Sequence, residues 1–195
     1  VNVVRYRYAP QRWETLVNDG GIVSNLRKSR WKLLLVPGFI LAQAWHAWRC
    51  SRRCKIDVIH AHWLIPQGLI AALLTSSGTA DIPFLATSHG ADLYALRGKV
   101  LNALKRFVVR KASAITVVSH PMRDALAEMG AETGKVSMQS MGVDLMAQFL
   151  PNPSVVRSTN EILFVGRLVD KKGVRHLIAD MPSILVKRPD TCLTI

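Results

Sequence analysis

Between residues 56 and 149, short apolar runs alternate with helical stretches, and this alternation constrains the fold more than any other feature. Ile56–His62, Pro83–Ser88, Ala114–Ser119 and Lys135–Ser140 read as strands. Residues 66–74, 98–112 and 121–129 read as the helices between them, with Pro121 in a first turn and Gly130 as a stop. Strands alternating with helices call for a parallel sheet with crossover connections, hence an α/β fold. In the helix over 98–112, Leu101, Leu104 and Val108 line one side, and Lys99, Lys105, Arg106, Arg110 and Lys111 are expected on the rest.

In an open sheet of this kind ligands gather beyond the carboxyl ends of the strands. Thr87-Ser88-His89-Gly90-Ala91-Asp92 occupies such an end. Gly90 permits a tight turn and close approach of a ligand, His89 can donate or accept near neutral pH, and Asp92 can accept from ligand hydroxyls or fix the turn. A buried histidine with an aspartate turn satisfies the same pattern. His60 and His62 share one side of their strand because side chains repeat every two residues. His62, nearer the carboxyl end, is the ligand-facing candidate, and His60 is expected in the core.

The rest of the chain frames this unit. Residues 1–8 alternate enough for a strand ended by Pro10, and Asp19-Gly20-Gly21 signals a loop. Residues 31–55 hold three tryptophans and a broken apolar run, Leu33–Val36 and Phe39–Ala42 around Pro37-Gly38, closed by Arg49, Arg52, Arg53 and Lys55. The run is too short for a membrane-spanning helix, which needs about 20 residues. It suits a helix packed on its own domain, a helix lying in a membrane interface, or both. Residues 1–55 carry 11 Lys/Arg against Glu14 and Asp19, a net of +9 out of +13 for the chain, which suggests an anionic partner. Three cysteines form no disulfide framework and indicate a reducing compartment. His46, Cys50 and Cys54 repeat every four residues but lack a fourth ligand, so no metal is expected.

Residues 151–160 are rich in proline, serine and asparagine and read as a linker between a first domain, 1–150, and a second α/β unit over 161–195. In that unit the strand Glu161–Val165 runs into Gly166-Arg167-Leu168-Val169-Asp170-Lys171-Lys172-Gly173 and a helix over 174–187. Fixed cations on a strand-to-helix loop suit phosphate, and a solvated basic turn has the same composition. The spacing of a P-loop is absent.

The order of Asp57–His62, Thr87–Asp92, Ile115–Ser119, Gly142-Val143-Asp144 and Val165–Gly173 resembles the retaining glycosyltransferases of family 4, the "group 1" enzymes. The resemblance runs over about the whole chain and implies a GT-B-like architecture: a Rossmann-like N-terminal domain with a parallel sheet, plus the first βα(β) unit of a second Rossmann-like domain. It implies hexose transfer, with retention, from a nucleotide-sugar to a cell-envelope, exopolysaccharide or lipid-linked glycan. It assigns donor-sugar contact and catalysis to His89, the donor diphosphate to Gly166, Arg167 and Lys172, and the donor/acceptor cleft to His62, Gly90, Asp92, Gly142 and Asp144. No cofactor or metal is implied, because the cations serve in its place. A cytoplasmic protein, peripheral at the inner face of the plasma membrane, is expected, and no specific nucleic acid is.

Three departures qualify the resemblance. The family's Gly-rich loop would precede residue 1, no two glutamates are eight apart, and Met141 stands where an asparagine is common. They imply a fragment, inactive as it stands, of an active parent. Two alternatives share parts of the pattern: a basic α/β module binding nucleic acid or anionic membrane without catalysis, and a GT-B nucleotide-sugar epimerase.

Overall fold

The computed structural model describes residues 2–18, 22–76 and 82–195, with Lys171 described by its backbone alone. The Asp19-Gly20-Gly21 loop and Gly78 lie outside the described residues. The chain divides into two compact units, Val1–Gly142 and Val143–Ile195.

The first unit holds the expected parallel sheet. Its strands are β1 (Ile59–His62), β2 (Phe84–Ser88), β3 (Ala114–Val117) and β4 (Val136–Met138), in the order β1-β2-β3-β4. Ala61 stands opposite Ala86, and Ala86 opposite Ile115, so one face of the sheet carries small and branched apolar side chains. That face is covered by α3 (Leu69–Ser76), α5 (Lys99–Lys111) and α6 (His120–Glu128). Phe84, Ala86, Ile115, Val117, Val108, Val109, Met122 and Leu126 form one buried core with Ala71 and Ala72. Burying each larger aliphatic or aromatic side chain here contributes roughly 1.5–3 kcal/mol. The short strands and their helices follow from this. β-branched and apolar residues recur with period two in the strands, and helical spacing brings Val108, Val109 and Ala112 to one side of α5.

Lys105 departs from the expected pattern. The sequence places it on the solvated side of its helix, yet it is 1% exposed. Its Nζ donates to the carbonyls of Leu93 and Leu96, each at 2.8 Å. These carbonyls close the short helix α4 (Ala91–Tyr94), so a buried ammonium caps a helix end that its own chain leaves open. Burial favours its neutral form and lowers its pKa, and the nearby Asp92 opposes that shift.

Two further expectations are corrected. Residues 2–8 form no strand. Their alternation is met by aromatic packing instead: Tyr8 meets Phe39 edge-on with ring centroids 5.3 Å apart, and Tyr6 packs on Phe39 and on His46. The approach is so close that a Cβ on Gly38 would lie 2.7 Å from the Tyr8 carbonyl oxygen. Leu16, Leu35 and Phe39 form a second small core around this contact, with Ile22 and Leu26 of α1 (Ile22–Lys28) packed against it. Pro37-Gly38 does not interrupt the helix either. α2 runs from Leu35 to Arg53, with Pro37 in its first turn, where its missing N–H is not needed.

The helix expected from Pro66 is present: a π-helical turn over Leu64–Gly68, irregular only at Ile65, runs directly into α3 at Leu69. Between β1 and α3 the chain wraps through Trp63, whose φ is +83°, and a cis Ile65–Pro66 peptide. Gly68 is required there, because a Cβ would meet Val108 Cγ1 at 2.9 Å and the Trp63 carbonyl oxygen at 3.1 Å.

In the second unit β5 (Glu161–Leu163) and β6 (Cys192–Thr194) pair in parallel, joined through α7 (Val174–Lys187). The crossover matches the helix and strands expected for 161–195.

Candidate functional site at the carboxyl ends of β1 and β2

The site is built from two strand ends and one buried carboxylate. β1 ends at His62 and β2 ends one residue before His89. In-register pairing of His62 with Thr87 brings these ends side by side. His62 Nδ1 lies 3.0 Å from His89 Nε2, and the two rings are stacked 12° from parallel. One of these nitrogens carries the hydrogen and the other accepts it.

Asp92 holds the second strand end. It is fully buried. Its Oδ2 accepts from the Leu64 backbone N–H at 2.8 Å, and its Oδ1 accepts from Ser88 Oγ and the His89 N–H, both at 3.1 Å. The carboxylate therefore ties the turn after β1 to the turn after β2. The Trp63 N–H adds a second tie to the Thr87 carbonyl at 2.8 Å. Of the two roles open to Asp92 in the sequence, ligand contact or turn fixing, its geometry here is that of turn fixing. Gly90 adopts a φ of +89°, which an L side chain takes only with strain, and so lets the chain leave β2 sharply into α4.

His60 is not in the core, contrary to expectation. It is exposed on the same face as His62, and the two rings are 4.3 Å apart. Its Nε2 pairs with Thr87 Oγ1 at 2.7 Å, and Thr87 Oγ1 pairs with Thr116 Oγ1 at 2.6 Å. On this face of β1–β3, His62, Thr87 and Thr116 thus form a polar row in register, where the opposite face carries the core. A period-two reading could have found Thr87 and Thr116, since both fall in register with His62. Loss of hydration on this face lowers the pKa of His60, and the neighbouring His62 and His89 lower it further.

This gives a pH prediction. The fold favours neutral His60, so its contribution to stability is complete above the ordinary imidazole value of 6.5 and is lost as pH falls below it. In a proton NMR titration the His60 Cε1–H should have its midpoint below 6.5. A midpoint at or above that value would contradict the assigned environment.

The remaining sequence candidates lie elsewhere. Gly142 ends the first unit and is exposed, with open space where a Cβ would stand. Asp144 belongs to the second unit, and its Oδ1 accepts from the Met146 and Ala147 N–H groups at 2.9 and 3.0 Å. Gly166, Arg167 and Lys172 lie between β5 and α7, all exposed. The turn Asp170–Lys172 ends on Gly173 with a φ of +72°, from which α7 starts. Among the described residues neither Arg167 nor Lys172 has a carboxylate partner, so both cations are available to an anion. His46, Cys50 and Cys54 do not come together as a ligand set: among the described residues no group of three His, Cys, Asp or Glu side chains could hold a metal ion.

Comparison with known proteins extends this geometry. The model of Glycosyltransferase Family 4 matches residues 2–146, which include every residue of the His62–His89–Asp92 cluster. A glycogen synthase of Mycobacterium tuberculosis (strain ATCC 25618 / H37Rv) is 29% identical over 154 residues, covering 74% of this chain and 36% of the relative. The teichuronic acid biosynthesis glycosyltransferase TuaC, named as such in Bacillus subtilis (strain 168), is 29% identical over 140 residues, covering 66% of this chain and 35% of the relative. An N-acetyl-alpha-D-glucosaminyl L-malate synthase of Bacillus anthracis is 28% identical over 95 residues, covering 48% and 25%. The chain spans about a third of the length of the first two relatives.

Proposed function

The chain belongs to glycosyltransferase family 4, and from that premise we propose that its protein transfers a hexose from a nucleotide-sugar to a glycan of the cell envelope, with retention of configuration. The observation that carries this reading is the His62–His89 pair, held by a buried aspartate at the carboxyl edge of a parallel sheet, inside the segment that the family model matches. An imidazole on such an edge offers one hydrogen-bonding nitrogen to a sugar hydroxyl, and a built turn keeps it still.

Residues 1–150 form the acceptor-side domain in this reading, and 161–195 open the donor domain. Arg167 and Lys172, with the Gly166 backbone, take the donor diphosphate. A guanidinium fork and an ammonium both stabilise charge that grows on the leaving group as the glycosidic bond breaks. Two fixed cations do the work that a divalent metal does in other transferases, so the reaction runs without one. The teichuronic acid relative supports a cell-envelope acceptor, and the glycogen synthase supports a hexose as the transferred group. The reaction sits at the cytoplasmic face of the membrane.

The test uses the protein expressed from its own gene, with labelled UDP-, GDP- and ADP-hexoses and a glycolipid extract as acceptor. Label should pass to the extract from one donor, the new anomeric centre should keep the donor's configuration by its proton coupling, and EDTA should leave the rate unchanged. Inverted product would remove the retaining mechanism, and absence of transfer from every donor would remove the reading.

A further inference from the structure

We propose that the outward face of α2 is a surface that seats on an anionic lipid bilayer. The proposal rests on α2 itself and not on the transferase reading.

Positions 34, 37, 41, 45, 48 and 52 follow one another by three or four residues and so form one stripe along the helix. They are Leu34, Pro37, Leu41, Trp45, Trp48 and Arg52. A stripe facing water is ordinarily polar. This one is apolar for five of its six positions, and Leu34, Leu41 and Trp45 are 81%, 69% and 57% exposed. The opposite face buries Leu35 and Phe39 against Tyr6 and Tyr8, so the helix already has its own domain contact. Trp31 and Leu33, 48% and 50% exposed, continue the apolar surface beyond the helix start.

Charge selects the occupant. From Gly20 to Ile56 there is no acidic residue, against eight Lys and Arg: Arg27, Lys28, Arg30, Lys32, Arg49, Arg52, Arg53 and Lys55. Lys32 is turned inward to the Thr15 carbonyl. The other seven are exposed, and among the described residues none is ion-paired. A second copy of this face would bring seven cations against seven. A neutral apolar partner would leave them unmatched. A bilayer with anionic head groups satisfies both the apolar stripe and its cationic margins.

The arrangement at the carboxyl end of α2 is specific to an interface. Trp45 and Trp48 stand with ring centroids 5.0 Å apart, and with Arg49, Arg52 and Arg53 they line a shallow cavity of about 260 Å³. Tryptophan settles at the level of lipid head groups, where its ring is apolar and its N–H is wet. Three guanidiniums beside it match phosphate oxygens. Among the described residues no helix is long and apolar enough to cross a membrane, so α2 lies along the surface.

The test is sedimentation of the chain with vesicles of phosphatidylcholine alone or with about one-third phosphatidylglycerol, read with tryptophan fluorescence. Binding and a blue shift are expected only with the anionic lipid, and both should weaken as salt rises. Arg49→Gln, Arg52→Gln and Arg53→Gln together should weaken binding about a hundredfold, at roughly fivefold for each charge. Trp45→Ala with Trp48→Ala should weaken it about tenfold. A charge-matched control, Arg157→Gln, Lys187→Gln and Arg188→Gln, removes three exposed cations from the second unit and should change binding by less than about threefold. All these side chains are exposed, and unchanged circular dichroism will show that each variant folds. Equal binding to neutral vesicles, or equal loss in the control, overturns the proposal. So does a dimer in light scattering that the tryptophan variant dissociates while vesicle binding is absent, since the face would then join two copies.

Discussion

On the proposed function, His89→Ala is expected to lower kcat for sugar transfer about a hundred- to a thousandfold, the range found when one preorganised hydrogen-bonding group is removed from a reacting centre. The fold should survive. His89 is half-exposed, and the bond that fixes its turn is made by its backbone N–H to Asp92, which alanine retains. The melting temperature should therefore move little while turnover falls. His62→Ala separates contact from positioning. It removes the partner 3.0 Å from His89 Nε2 and leaves His89 free to rotate. The expected loss is smaller, about tenfold, with a changed pH profile, because the hydrogen that His89 presents is no longer set by its neighbour. If His89→Ala retains wild-type kcat, the histidine pair is not part of the reacting centre. The donor reading would then have to stand on Arg167 and Lys172 alone.

Asp92→Ala should act on stability, by about 3–5 kcal/mol. A charge-assisted hydrogen bond contributes about 1.5–3 kcal/mol, and an orphaned buried donor costs about 1–3. Here one carboxylate serves three donors, two of them backbone groups in different turns. Without it the N–H of Leu64, a residue with no solvent exposure, loses its acceptor. The expected fall in melting temperature is about 10 °C or more for a unit of this size. Asp92→Asn keeps the shape but turns an NH₂ toward at least one of the donors, so an intermediate loss is expected. Thermal denaturation followed by circular dichroism decides the matter. An alanine variant melting within about 2 °C of the parent would mean that water or rearranged backbone replaces the carboxylate.

On the proposed function, the two substitutions divide the Thr87–Asp92 segment into a part that would meet the ligand and a part that holds the first in place. Lys105 belongs with the second part. Asp92 fastens the start of α4 and Lys105 closes its end, each through backbone groups, with no ion pair between them among the described residues. Two buried charges of opposite sign thus frame the residues that follow His89. That arrangement costs desolvation and returns a fixed turn.

Much of this was legible in the sequence, and the reason is local. Period-two and helical repeats are set by neighbours a few residues apart, and among the described residues they located all six strands and α3, α5, α6 and α7 to within a few residues. The same signal misled at residues 1–8, where alternating side chains pack as single aromatic rings on Phe39 and no strand pairs with them. It misled at Lys105 too, because polarity alone placed a lysine outside when its ammonium was to meet two carbonyls inside.

The sequence by itself determined the α/β character, the histidine and glycine at a strand end, and the strongly basic first 55 residues. These depend on composition and on spacing along the chain. The tertiary structure decided which distant residues meet. His62 and His89 are 27 residues apart and touch because parallel pairing sets His62 against Thr87. Leu64 and Asp92 are 28 apart and meet because the two turns close over the same strand ends. It also decided which side of α2 is already occupied, and so left Leu34, Leu41, Trp45 and Trp48 facing outward. Registry and burial are properties of the assembled sheet and its cover, and no stretch of sequence carries them alone.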